Sequence, residues 1–358
     1  MSTKEDAAPS VSGASERSAP APATGILRSR RVLLLAVGLL LVAALSLASL
    51  LVGARPIAPS VALQALLHFD PTSFDQIVIH DYRLPRTVLS LLVGAAFGVS
   101  GALIQSATRN PLADPGILGV NAGAAFAVTL AVGLFGLRSV KAYLWFALGG
   151  AALVTLAVHA LGTVGRGEAD PVRLVLAGTA LSAVLGGIGS GLTLLDPQAF
   201  DALRSWSIGS VAGRDMGVAV TVAPFVGLGL AFALLLARPL NALALGQDLA
   251  ATLGANVAHV RLGVVVAVTL LAGAGTAAAG PIGFLGLMVP HALRWLVGPD
   301  QRWIVALTVL YAPTLLLLAD IVGRLVLFPG ELEAGIVTAL IGAPVLIALA
   351  RHRRASGL

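Results

Sequence analysis

The sequence predicts an all-α integral membrane protein, and two observations carry that prediction. First, the 358 residues are 57% hydrophobic and only 11% charged, with a mean hydropathy of +0.94. That is too little polar material to cover a water-soluble domain. Second, long tracts without a charged residue recur along the chain, each with the length that a helix needs to cross a bilayer. The chain has no cysteine, which excludes disulfides and thiolate metal sites.

The N-terminal residues 1–31 are rich in Ser, Ala and Pro, carry charges up to Arg31, and show no apolar periodicity. They predict a disordered cytoplasmic tail, followed by a transmembrane domain over residues 32–352. The first apolar tract, Val32–Ala54, has 23 residues and is longer than the ~7–15 residues of a signal-peptide core. It therefore predicts a membrane-spanning helix and not a cleaved leader.

Counting the charge-free tracts predicts about ten transmembrane helices. Eight tracts each predict one span: Val32–Ala54, Thr87–Thr108, Pro115–Leu137, Ala142–Gly165, Leu174–Leu195, Met216–Ala237, Trp303–Ala319 and Ala334–Ala350. The tract Leu262–Leu293 is too long for one span and too short for two full ones, and Gly280, Pro281 and Gly283 interrupt it. We expect a full helix to about Gly280, an irregular turn, and a shorter helix to Val297.

The distribution of Lys and Arg predicts the orientation. With ten alternating spans and a cytoplasmic N-terminus, 15 of the 23 Lys and Arg residues fall on the inner side, as the positive-inside rule requires. Both termini and residues 241–260 are then cytoplasmic. The expected location is the cell (cytoplasmic) membrane, with multiple passes.

Two outer segments are expected. One is a long loop over residues 55–86, with the basic residues Arg83 and Arg86 at its end. The other, residues 197–213, predicts a helix too short to span, either re-entrant at the mouth of a pathway or lying on the surface with Trp206 as an interfacial anchor.

No pattern in the chain indicates an enzyme. The glycine-rich stretch 273–283 lacks the Gly-Lys-Ser/Thr ending of a phosphate-binding loop, so we expect no ATP site and no cofactor in this chain. His80, His159, His259 and His291 have no metal-ligand spacing, and we expect no metal site. The basic residues are scattered and form no stripe for nucleic acid.

Intramembrane charge bears on the energy source. A proton- or sodium-coupled carrier keeps acidic residues near the bilayer midplane. Here Asp320 is the acid well inside a predicted span, and its i,i+4 spacing to Arg324 predicts a neutralised pair. An ion-coupled secondary transporter is thus the weaker alternative, and a non-transporting scaffold is a further one.

The segment 241–258 alternates apolar with polar residues and predicts two short amphipathic helices broken at Gly254, as a docking surface. Here the chain resembles the FecCD family of ABC importer permeases, which carry ferric siderophores, haem or vitamin B12. The resemblance rests on GQDLAATLG and AGPIGFLGLMVPHALRWLVGPDQR in this region, and on the blocks at residues 81–124 and 317–354. It covers roughly residues 60–352, and IVIHDYRLPR and LGVNAGA are most similar to siderophore permeases of the catecholate type.

The resemblance implies a type II ABC importer permease and its assembly. The implied partners are a second permease subunit, identical or paralogous, two ABC ATPase subunits that bind the ATP and Mg, and an extracytoplasmic substrate-binding protein. The implied cargo is an iron chelate, and the resemblance favours a ferric siderophore, with haem or vitamin B12 as the alternative.

The resemblance also implies three sets of site residues. ATPase coupling is expected at Gly246, Gln247, Asp248, Ala250, Leu253, Gly254 and Val257, and a cytoplasmic gate at Asp170, Pro171 and Val172. Docking of the binding protein is expected at Arg83, Arg86 and Arg324, because guanidinium groups suit carboxylates. The alternative is structural: Arg83 and Arg86 anchor a helix end beside Asp81, and Arg324 is satisfied by Asp320.

Overall fold

The computed structural model describes residues 24–53, 55–137, 139–163, 171–252, 254, 256–327 and 330–355. Within these residues the chain forms helices joined by turns, with no β-strand. Seven helices are long and apolar enough to cross a membrane, and three shorter apolar helices accompany them. In the described part of the chain the helices therefore match the ten that the sequence predicts.

The helices are numbered in chain order. The ten that form the bundle are α1 (Thr24–Leu51), α4 (Leu84–Thr108), α5 (Val120–Gly133), α6 (Val140–Thr163), α7 (Pro171–Leu195), α9 (Met216–Ala244), α11 (Val257–Ala279), α12 (Leu285–Val297), α13 (Gln301–Val326) and α14 (Ala334–Ala355). Four short helices connect them: α2 (Pro59–Leu67), α3 (Phe74–Ile77), α8 (Pro197–Ser207) and α10 (Gln247–Thr252).

Helix α4 is the centre of the bundle and packs against α9, α11, α12 and α13. It is buried around most of its circumference from Val93 to Ser106. Small residues make this possible: a Cβ atom on Gly101 would lie 2.0 Å from the carbonyl oxygen of Gly286 in α12. Inside a membrane such close backbone approach supplies the packing that holds helices together.

Helix α1 lies at the edge of the bundle, largely exposed along its length, and is fastened at both ends. At one end Arg31 donates to the carbonyl of Val297 (3.1 Å) and lies over the ring of Trp303. At the other end Arg83 and Arg324 contact its last turn. We call this second end, where Arg83, Arg86 and Arg324 lie, the arginine end. The opposite end, which carries α10, is the α10 end.

Three boundaries differ from the sequence prediction. Helix α1 begins at Thr24, so residues 24–31 are helical and only 1–23 of the predicted tail lie outside the described residues. The second span extends back through a π-helical turn, Val78–Arg83, to Phe74. Charged residues do not end this helix, because they are paired or buried there.

The third predicted span, Pro115–Leu137, is broken. A single 3₁₀ turn, Pro115–Leu118, is capped by Asp114 and ends at Gly119, whose φ of +75° is the left-handed conformation that glycine adopts most easily. The helix that follows, α5, has 14 residues. It reaches its neighbour closely, since a Cβ on Gly123 would lie 2.3 Å from the carbonyl oxygen of Gly150 in α6.

The predicted interruption near Gly280 is confirmed. Helix α11 ends at Ala279, Gly280 has a φ of +75°, and α12 begins after Phe284. This turn packs on α8, because a Cβ on Gly280 would lie 2.0 Å from the carbonyl oxygen of Trp206. Trp206 itself is buried, so it is a packing residue and the interfacial-anchor interpretation is wrong.

Candidate functional site

A cavity of about 530 Å³ opens at the arginine end. It lies among the start of α4, the end of α13, the segment before α9 and the connection to α14. Its charged lining consists of the five arginines Arg55, Arg83, Arg86, Arg214 and Arg324, and the three acids Asp81, Asp215 and Glu331. The three predicted docking arginines are therefore brought together, although Arg324 is far from the other two in sequence.

Arg83 caps the end of α1. Its guanidinium donates to the carbonyl of Leu50 (2.8 Å) and to the carbonyl of Arg55. The last carbonyls of a helix have no partner within the helix, and a cation there is favoured by the helix dipole. Arg83 is only 6% exposed, and Gly53 leaves the room it needs, since a Cβ there would lie 2.8 Å from Nη2.

Arg324 caps the same turn from the other side. Nη1 donates to the carbonyls of Ser49 (2.8 Å) and Val52 (3.1 Å), and Nη2 donates to Oγ of Ser49 (2.9 Å). Nε and Nη2 also contact Asp320, one helical turn earlier in α13. The i,i+4 pair predicted from the sequence is confirmed.

Asp320 has a second partner that the sequence did not indicate. Nε and Nη2 of Arg86 approach its carboxylate at 2.9 and 2.7 Å, so Asp320 bridges two guanidinium groups while being 1% exposed. The remaining Nη1 of Arg86 pairs with Glu331 at 2.6 Å, and the Glu331 side chain is 40% exposed. Arg86 thus links the buried pair to the opening of the cavity.

The structural alternative is therefore confirmed for Arg324, which pairs with Asp320. For Arg83 and Arg86 it named Asp81 as the neighbouring acid, and the described contacts of these two arginines are with other groups. Asp81 accepts from Nδ1 of His80 at 2.7 Å instead. These internal contacts do not test docking, which stays a prediction.

Besides Glu331, two charged residues of the cavity were not indicated by the sequence, Arg214 and Asp215. Arg214 donates Nε to the carbonyl of Ala278 (3.1 Å) and forms no ion pair within the described residues. Asp215 caps α9 and pairs with Lys141 of α6 at 3.1 Å. Partial burial acts to raise the pKa of Asp215, but its hydrogen bonds with Lys141 and the Val218 N–H outweigh this and lower it. Their basic and acidic character was visible, but no local spacing connected them to Arg86.

The predicted coupling segment forms one short helix and not two. Helix α9 continues to Ala244, α10 covers Gln247–Thr252, and the side chain of Asn256 accepts from the His259 N–H to begin α11 at once. Gly246 and Gly254 have φ values of +116° and +82°, which allow the sharp turns on either side of α10.

The coupling residues differ in accessibility. Ala250 is fully buried within this chain, Val257 is half-buried at the start of α11, and Leu249 is 49% exposed beside them. Leu253 and the side chains of Gln247 and Asp248 lie outside the described residues. The coupling role of all seven stays a prediction.

The predicted gate is described only in part. Asp170 lies outside the described residues, and α7 begins at Pro171, as expected for proline in the first turn of a helix. Val172 is exposed. Nothing in this geometry tests a gating role.

Comparison with known proteins decides the family. Residues 39–352 match the FecCD transport family. The chain belongs to the FecCD transport family. It is 50% identical over 321 residues to the ferric enterobactin transport system permease protein FepD of Escherichia coli K12, covering 89% of this chain and 95% of FepD. It is 42% identical over 326 residues to the iron(3+)-hydroxamate import system permease protein FhuB of Bacillus subtilis 168, covering 90% and 84%.

A solved structure supports the FecCD fold assignment. It is described as a metal-chelate type ABC transporter in an inward-facing conformation, and it superposes with a TM-score of 0.78 at 29% identity, covering 92% of this chain and 99% of that one. The type II importer permease fold expected from the resemblance is thereby confirmed.

Proposed function

We propose that this FecCD protein is the membrane permease subunit of an ATP-driven importer of an iron chelate, a ferric siderophore in the first instance. The observation that carries the proposal is the 50% identity, over nearly the full length of both chains, to a permease of a ferric enterobactin transport system. Relatives named for iron(3+)-hydroxamate and Fe(3+)-citrate import support iron chelates as the wider class.

The state of Asp320 favours ATP over an ion gradient as the energy source. A proton relay needs a carboxylate that can exchange its proton, whereas Asp320 accepts hydrogen bonds from two arginines in a buried position. An ATP-driven permease needs no such relay, because partner ATPases supply the energy.

The proposal includes partners at both ends and on one side. By the charge bias, the α10 end is cytoplasmic and would hold the ATPases, and the arginine end is extracytoplasmic and would receive a binding protein. A second permease subunit would lie against α7, because only 17% of the most apolar 18-residue stretch of this helix is buried within this chain. Gly186, Gly187 and Gly191 of α7 face open space, which suits close packing by another helix.

Reconstitution tests the proposal. The permease, in nanodiscs or proteoliposomes, would be combined with candidate ATPases and extracytoplasmic binding proteins of its own cell. Uptake of labelled ferric enterobactin, a ferric hydroxamate, ferric citrate, haem and cobalamin would then be compared. We expect ATP-dependent uptake of a ferric siderophore that persists when an ionophore collapses the ion gradients. Uptake that stops with the gradients, or haem or cobalamin as the transported compound, would contradict the proposal.

The subunit contact can also be tested by crosslinking, because the chain has no cysteine and an introduced one would be its only thiol. Gly187→Cys should give an intersubunit crosslink, and Gly149→Cys, at an equally open position on α6, is the matched control. Equal crosslinking of both would remove α7 from the contact.

A further inference from the structure

Among the three arginines Arg83, Arg86 and Arg324 at the cavity, Arg86 is the one whose outer contact is exchangeable. Arg83 and Arg324 are 6% and 3% exposed and are used to cap α1, so neither can turn outward without uncapping that helix. Arg86 differs, because its inner edge is held by Asp320 and its outer Nη1 by Glu331. Of the two carboxylates that hold Arg86, Asp320 is buried and Glu331 is substantially open to solvent.

The backbone around Glu331 allows its side chain to leave alone. The next residue, Leu332, donates its N–H to the carbonyl of Gly323 in α13 at 3.0 Å, and Gly335 donates to the carbonyl of Gly209 at 3.0 Å. These bonds hold the chain in place on the C-terminal side of Glu331. Swinging its carboxylate away from Arg86 therefore needs a side-chain rotation and no movement of α13 or α14.

Arg86 would keep its direction after such a rotation. Asp320 binds Nε and Nη2 together, which fixes the plane of the guanidinium and leaves Nη1 aimed into the cavity. A cation held in position loses little freedom when it binds a new carboxylate, which favours affinity. Arg214 faces the same cavity with no ion pair in the described part of the chain, so a second cation is close to any incoming carboxylate.

We propose that Glu331 is a built-in substitute for a carboxylate of the extracytoplasmic binding protein, and that docking exchanges one for the other on Arg86. The occupant is an acidic side chain on the docking face of that protein. The cavity lining has five arginines against three acids, and the solvent-exposed contact of Arg86 is already with a carboxylate, that of Glu331. Glu331 keeps Arg86 satisfied in the undocked state and lowers the affinity of docking by competition. The inference rests on the proposed function.

The test measures the affinity between two partners. One is the permease with its ATPases bound, in nanodiscs, and the other is the binding protein that supports uptake in the reconstitution assay. Glu331→Gln frees Nη1 of Arg86 and should tighten binding by about two- to fivefold at low salt, less at high salt, as expected for losing one competing surface pair. Glu333→Gln is the matched control. It removes the same charge two residues away, from a side chain that forms no ion pair within the described residues.

A double variant separates exchange from simple loss of repulsion. In an Arg86→Gln background, Glu331→Gln should have no effect, because the cation for which the two carboxylates compete is absent. If the wild-type complex binds and Glu331→Gln binds with unchanged or weaker affinity, this inference is wrong while the proposed function stands. An equal gain in Glu333→Gln, or a gain that persists without Arg86, would also overturn the inference. If no extracytoplasmic binding protein binds the wild-type complex, the proposed function itself fails.

Discussion

Replacing Asp320 by Asn should be among the most destabilising single changes at the arginine end. The substitution keeps the shape of the side chain and removes its charge. Asp320 is 1% exposed and receives hydrogen bonds from Arg86 and Arg324. An amide nitrogen is a donor only, so at least one guanidinium N–H would face another donor in place of an acceptor.

The structure indicates the size of the effect. Removing one partner of a buried ion pair typically costs about 3–5 kcal/mol, because a charge remains buried without compensation. Here two cations would remain, Arg86 and Arg324, each repelling the other. Glu331→Gln is the matched control: it also removes a carboxylate from Arg86, but at a 40% exposed side chain where a pair contributes about 0–1 kcal/mol.

Unfolding in bicelles by added sodium dodecyl sulfate, followed by tryptophan fluorescence, would measure both variants. We expect the loss in Asp320→Asn to be several times the loss in Glu331→Gln. If Asp320→Asn does not accumulate, Asp320→Asn/Arg324→Gln should recover part of the stability by removing one of the two buried cations. Equal stability of Asp320→Asn and Glu331→Gln would refute the argument that Asp320 holds this end together.

Three further predictions follow from the fold. Gly101→Ala should lower stability by about 1–3 kcal/mol in the same unfolding assay, because its Cβ would lie 2.0 Å from a backbone oxygen of α12, whereas Gly149→Ala, which meets nothing within 4 Å, should not; equal effects would contradict the packing argument. Asn256→Ala removes the side-chain cap of α11 and should cost about 1 kcal/mol, while the conservative Asn256→Asp should retain most of the stability. Leu249→Asp, at an exposed position of α10, should reduce binding-protein-stimulated ATP hydrolysis without affecting unfolding, and full stimulation would remove this face of α10 from the ATPase contact.

Features with a local cause could be predicted from the sequence. The break between α11 and α12 follows from the length of the tract and from a Gly-Pro pair, both visible within a few residues. The Asp320–Arg324 pair follows from i,i+4 spacing. The start of α7 at Pro171 follows from the fixed φ of proline, which suits a first helical turn.

Features that depend on contacts between residues far apart in the chain could not be predicted from the sequence. Arg86 meets Asp320 and Glu331 across 234 and 245 residues, and no periodicity connects those positions. The second span begins earlier than its charge-free tract predicts, because the fold buries or pairs the charged residues that precede the tract. The single helix α10 replaced two predicted ones because Asn256 begins α11 immediately, and an alternating pattern alone does not show where one helix yields to the next.

The arginine end also shows why similar residues call for different experiments. Arg83 and Arg86 belong to one short motif, yet the Arg83 guanidinium donates to main-chain carbonyls at the end of α1. Within the described residues, the Arg86 guanidinium pairs with the carboxylates of Asp320 and Glu331. Reversing both to Glu would place a carboxylate against the carbonyls of Leu50 and Arg55, so weaker docking could result from a displaced α1. Arg86→Gln removes the cation that would pair with a carboxylate of the binding protein, and it leaves the cap of α1 by Arg83 intact. Loss of salt-sensitive docking in Arg86→Gln, with unfolding changed less than in Arg83→Gln, would assign recognition to Arg86 and anchoring to Arg83; equal behaviour of the two variants would contradict that division.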